Sequence, residues 1–100
     1  MKTKIKFKID EIIKLCVNDY LVSVGEPNII TNKTVLFGSG ALLDSMGLVN
    51  VIIDIETSLK KINYPITLTS EKAFSLKHSP FKSVHSLSNY IYIEIKNIEN

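Results

Sequence analysis

The most constraining feature of this chain is a glycine-broken approach, Leu36-Phe37-Gly38-Ser39-Gly40-Ala41-Leu42-Leu43, that passes through Asp44-Ser45 directly into a segment with helical apolar spacing. Leu48, Ile52, Ile55 and Leu59 recur at intervals of four, three and four, with Val51 beside them, which draws one buried stripe on a helix from Ser45 to about Lys60. Lys60 and Lys61 close it with the charge that a C-terminal dipole favours. Ser45 is therefore expected at a helix N-terminus, where unpaired amides and the positive end of the dipole suit a phosphate. A second apolar line, Met46, Val49 and Ile53, flanks the stripe. It either widens the core contact or offers a strip to a partner.

One amphipathic helix must bury its stripe against others, and the chain has the material to do so. Its 100 residues are read as a single domain, 1–100, and 45% of them are hydrophobic against 22% charged. A disordered chain would lack that apolar mass. Twelve basic and ten acidic residues give a net charge of +2, too balanced for a nucleic-acid binder with its clustered basic face. Lys2, Lys4, Lys6 and Lys8 read as a solvated end, with 1–4 as a frayed N-terminus and 97–100 as a tail. No apolar run reaches the ~20 residues of a bilayer span, and the N-terminus lacks the order of a signal peptide, so a cytoplasmic protein without membrane insertion is expected. The single cysteine, Cys16, has no C-x-x-C partner and is expected to be a core thiol.

In chain order, Ile9, Ile12, Ile13, Cys16, Val17 and Tyr20 follow the i, i+3, i+4, i+7 rule and predict a long first helix from about Ile5 to Val22. Its β-branched content makes packing, not propensity, its support. Gly25, Pro27, Asn28 and Asn32 end it and open a long connection to Asp44. Ile29, Ile30, Val35, Leu36 and Phe37 are expected to pin that loop to the core. A short strand over 34–37 is the alternative, with no convincing partner strand before the C-terminus. Beyond the helix at Ser45, the chain breaks at Asn63-Tyr64-Pro65, and Ile66 and Leu68 are expected to turn inward. Thr69 or Ser70 then caps a short third helix to Phe74 or Leu76, and His78-Ser79-Pro80 make a turn. Ser83 caps a last helix with apolar positions Val84, Leu87, Tyr90, Ile91 and Ile95. Tyr90 to Ile95 also alternates like a strand, but the commitment of 83–89 favours helix.

Asp-Ser before an apolar run has a purely structural explanation, since both residues are favoured caps. A serine hydrolase would need a base and an orienting group, and neither His78 nor His85 lies in a nucleophile motif such as G-x-S-x-G. No catalytic residue and no metal site is expected, the two histidines reading as a loop and a helix-face position.

The segment L-L-D-S-M-G-L-V-N-V-I-I-D-I-E, entered from Gly38 and Gly40 and ending on Glu56, resembles the phosphopantetheine attachment segment of acyl carrier proteins. The long first helix, the long ordered loop, the short third helix and the Phe81, Val84, Leu87, Tyr90, Ile91 pattern extend the resemblance over most of the chain. It implies an all-α four-helix bundle of acyl-carrier-protein type, monomeric, with 4'-phosphopantetheine attached to Ser45 by a phosphopantetheinyl transferase. It further implies that Asp44 presents the serine and that Met46, Val49, Ile53 and Glu56 face the acyl-loading and acyl-accepting enzymes. Family members are strongly acidic along this helix, whereas this chain has Asp44, Asp54 and Glu56 there, interrupted by Asn50 and Thr57, and Met46 stands where leucine is commoner. The expectation is thus a specialised carrier in a dedicated biosynthetic pathway, acted on by enzymes and not one itself. A peptidyl or aminoacyl carrier, and a non-catalytic helical adaptor that keeps the carrier fold, are the alternatives.

Overall fold

The computed structural model describes residues 2–38, 40–68 and 80–99. Among these the chain is all-helical, with α1 (Lys2–Ser23), α2 (Ser45–Lys61) and α3 (Val84–Glu99), no strand, and one isolated antiparallel bridge between Val35 and Ser83. The short helix expected between Thr69 and Leu76, and the expected turn residues His78 and Ser79, lie outside the described residues.

α1 starts at Lys2 and not at about Ile5. Lysine is a good helix former, and Ile5 packs on the margin of the core one turn before Ile9, so nothing stops the helix earlier. Ile9, Ile13, Cys16, Val17 and Leu21 are buried. Each full burial of a large aliphatic is worth roughly 1.5–3 kcal/mol, against at most ~0.7 kcal/mol of intrinsic propensity lost per β-branched residue. Packing wins. At the far end the Glu26 amide donates to the Leu21 carbonyl at 2.8 Å and the Gly25 amide to Val22 at 3.1 Å, a Schellman stop with Gly25 at φ +76°. A Cβ there would be strained.

α2 buries Leu48, Val51, Ile52, Ile55 and Leu59, the stripe the spacing predicts. It ends on a second Schellman stop in which Asn63, at φ +71°, takes the place of glycine: Tyr64 donates to Leu59 at 2.9 Å and Asn63 to Lys60 at 3.0 Å. Pro65 follows, and Ile66 and Leu68 turn into the core as expected. α3 buries Val84, Leu87, Ile91 and Ile95, with Tyr90 partly covered.

α1 packs against both other helices. Tyr20, near its end, meets the first turn of α2, whereas Ile5 and Ile9, near its start, share a groove with Ile62 and Tyr64 just beyond the end of α2. The two helices are therefore antiparallel. α3 is tied to α1 by the hydroxyl of the fully buried Ser88, which donates to the Asp10 carboxylate.

The loop from α1 to α2 is ordered by backbone bonds more than by its own apolar residues. Leu36 is fully buried, and Val35 and Ile30 are partly so, but Ile29 is 84% exposed and Phe37 45%, contrary to the expectation that all five would anchor it. What holds the segment is the backbone just ahead of α3: Leu36 donates to the Lys82 carbonyl at 2.7 Å, while Val84 donates to Thr34 at 3.1 Å and His85 to Asn32 at 2.9 Å. The partner for residues 34–37 lies in the chain entering the last helix, which is why no strand-like stretch was visible for it in the sequence.

Candidate functional site

The site begins with the loop that delivers Asp44. Gly38 and Gly40 both hold positive φ, 103° and 77°, and Leu42 donates back to the Val35 carbonyl at 3.1 Å, so the chain is turned before Leu43 drops into the core. Asp44 follows in an extended conformation and is the N-cap of α2: its carboxylate accepts the Gly47 amide at 2.7 Å and its carbonyl the Leu48 amide at 2.9 Å. Ser45 is the first helical residue and is exposed. By helix geometry the amides of Ser45 and Met46 have no acceptor within α2, so the hydroxyl stands beside open donors at the positive end of the dipole.

Gly47 was not singled out by sequence, although a glycine inside the first turn of a helix costs up to ~1 kcal/mol relative to alanine and so asks for a reason. The reason is Tyr20. A Cβ on Gly47 would lie 2.8 Å from the Tyr20 ring at Cε2 and 3.0 Å from both Cζ and the hydroxyl oxygen. This close approach seats the start of α2 on the end of α1, and it leaves Asp44 and Ser45 on the outside.

The second apolar line of α2 does not widen the core. Met46 is 75% exposed, Val49 43% and Ile53 47%, aligned along one outer stripe of the helix. Glu56 belongs to a different arrangement: it is partly buried, and its carboxylate accepts the amide of Leu68, tying down the chain that leaves α2. The four residues expected to share a partner face thus divide into three outward aliphatics and one carboxylate with a structural bond.

Cys16 is buried as expected, 3.9 Å from the Ser58 hydroxyl. Burial pushes its thiol above the ordinary range, the charges of Asp54 and Asp19 push the same way, and the Ser58 contact opposes them. This is the reverse of what a nucleophilic thiolate needs. His85 is exposed on α3 and pairs with Asn89 at 3.2 Å. Among the described residues no three His, Cys, Asp or Glu side chains converge on a point, and no helix is long and apolar enough to cross a membrane. A groove of about 470 Å³ opens beside Asp44, walled by Leu21, Val24, Leu42 and Leu43 with Tyr20 and Glu26 at its edge. No protein-family model, no curated protein and no solved structure matches the chain.

Proposed function

We propose that this chain is an acyl carrier protein that bears 4'-phosphopantetheine on Ser45 and carries acyl groups as thioesters between the enzymes of a dedicated pathway. In this reading the fold is a four-helix bundle of the acyl-carrier type. The observation that carries the reading is an exposed serine at the first position of α2, immediately after a cap that consumes the Gly47 amide and leaves those of Ser45 and Met46 open. These residues fit the group. A phosphodiester on Ser45 meets amide donors and the dipole without displacing any buried side chain, a gain of about 0.3–1 kcal/mol at an exposed site. When attached, the arm supplies the thiol that holds the acyl group. The chain supplies the anchoring hydroxyl and a docking surface, and it turns over no substrate of its own.

Partner enzymes, the phosphopantetheinyl transferase first among them, dock on the stripe of Met46, Val49 and Ile53. With Glu56 committed to Leu68, that stripe is mainly aliphatic. Electrostatic steering is correspondingly weak, and recognition rests on apolar contact. The aminoacyl-carrier alternative shares every one of these features and differs only in the loading enzyme. The adaptor alternative makes the same stripe bind partners without an arm.

The decisive experiment is co-expression with a promiscuous phosphopantetheinyl transferase followed by intact mass measurement. The wild type gains one arm and Ser45→Ala gains none. A wild type that stays unmodified with several such transferases overturns the carrier reading. A Ser45→Ala protein that still serves its partners fully in the cell replaces it with the adaptor. On the docking stripe, Met46→Glu slows arm attachment about tenfold, the equivalent of one mid-sized hot spot, with helix content unchanged.

A further inference from the structure

A second groove, of about 280 Å³, opens at the end of the bundle opposite Ser45, where the start of α1 meets the chain leaving α2 and the last turns of α3. About 25 Å of α2, at 1.5 Å per residue, separates the two. Its floor is the buried pair Ile9 and Ile95, and Ile5 and Ile62 form its walls. Among the described residues, the polar side chains that line it are Lys4, Lys8 and Tyr64, all hydrogen-bond donors, with no carboxylate beside them. Three other grooves among the described residues differ on this point: the one beside Asp44 contains Asp44 and Glu26, another contains Glu56, and another Glu11.

Lys4 and Lys8 lie one turn apart on the same face of α1, and the first turn of that helix has no acidic residue. Two like charges at that spacing repel, and cations at a helix N-terminus oppose its dipole. An anion placed between them relieves both. An occupant that answers every wall of this groove has an aliphatic body and an anionic end. We propose that the groove binds a free medium-chain aliphatic carboxylate from solution, its chain over Ile9 and Ile95 and its carboxylate against Lys4, Lys8 and the Tyr64 hydroxyl. The volume is at the lower edge of the roughly 300–1,000 Å³ of small-molecule sites, which limits the chain to medium length. Neither these residues nor the readout below involves Ser45, so the proposal stands or falls apart from the carrier reading.

The test is a titration of the full chain with decanoate below its micelle concentration, followed by amide NMR, with decyltrimethylammonium and acetate as controls. Decanoate shifts the amides of Ile5, Ile9, Ile62, Tyr64 and Ile95 saturably, the cationic amphiphile binds at least about tenfold more weakly, and acetate shifts nothing. The double variant Lys4→Glu/Lys8→Glu reverses the preference. The milder Tyr64→Phe, which removes only a donor, weakens decanoate about threefold and keeps the test alive if the charge reversal perturbs the fold. Equal binding of both amphiphiles, shifts confined to other surfaces, or no saturation overturns the proposal. So does a concentration-dependent shift of these amides without any ligand, which would assign the groove to a second copy of the chain.

Discussion

The starts of α2 and α3 are built from the same local grammar and reach opposite ends. Each helix follows a capping residue, Asp44 in one case and Ser83 in the other, and each is approached through backbone that touches the same long loop. At α3 the loop closes the terminus. Val84 and His85 donate to Thr34 and Asn32, Ser83 and Ser86 exchange bonds between amide and hydroxyl in both directions, and the Ser86 hydroxyl reaches the Pro80 carbonyl. Phe81 and Val84 are buried beneath. At α2 the cap takes one amide, and Ser45 and Met46 face outward. A helix N-terminus is thus chemically available or structurally consumed according to what distant backbone arrives there, and the capping residue alone does not tell which.

The largest effect expected is at the closed terminus. Leu36 is fully buried and holds the loop whose carbonyls satisfy α3. Leu36→Ala should cost about 3 kcal/mol in denaturant unfolding and speed hydrogen exchange at Val84 and His85 while leaving the Gly47 amide as protected as before. Equal deprotection of both helix starts would mean that the loop stabilises the bundle as a whole and does not clasp one terminus.

Much of this difference was out of reach of the sequence for an identifiable reason. The periodic signals were legible: the stripe Leu48, Ile52, Ile55, Leu59, the cap at Asp44-Ser45, the stop after Lys61 and the apolar face of α3 all depend on neighbours within a turn or two. The misses are non-local or lie at ends. Phe37 and Ile29 look like anchors by composition, but the loop is held by main-chain bonds to Lys82, Val84 and His85 that carry no residue signature. Glu56 reads as a surface carboxylate until the chain turns back to set the Leu68 amide against it. Ser88 sits on the inward face of α3 and is tolerated there because Asp10, 78 positions away in the chain, accepts the hydrogen bond its hydroxyl donates. Gly47 offered a hint, a glycine in a first turn, without its cause.

That cause gives the next effect in size. Gly47→Ala gains helix propensity of about 1 kcal/mol, yet the new methyl must displace the Tyr20 ring. A net loss of about 1–2 kcal/mol is expected because overpacking outweighs the gain. In a Tyr20→Leu background the same substitution should become neutral or stabilising, a non-additivity read directly from a double-mutant cycle. Additive losses would mean that Tyr20 does not seat α2. Removing the caps separates the two starts more finely. Asp44→Ala should lose about 1 kcal/mol and expose the Gly47 amide, whereas Ser83→Ala should lose about half as much, since Val84 and His85 remain bonded to the loop.

The smallest effect tests the property on which the carrier reading depends. If α2 begins with open donors, a negative charge fixed at its first residue is stabilised by them, and Ser45→Glu should raise stability by about 0.3–1 kcal/mol at low ionic strength. The gain should fade toward 1 M salt, where screening acts within about 3 Å. His85→Glu puts the same charge on the second residue of α3, but the amide there already faces the Asn32 carbonyl, whose negative end opposes the newcomer. Its gain should be smaller, with little dependence on salt. Thermal melts of the two variants across a salt series decide the matter: matched gains would show that the loop carbonyls leave the field at α3 intact, and the availability of Ser45 for a phosphodiester would then owe nothing to its helix end being open.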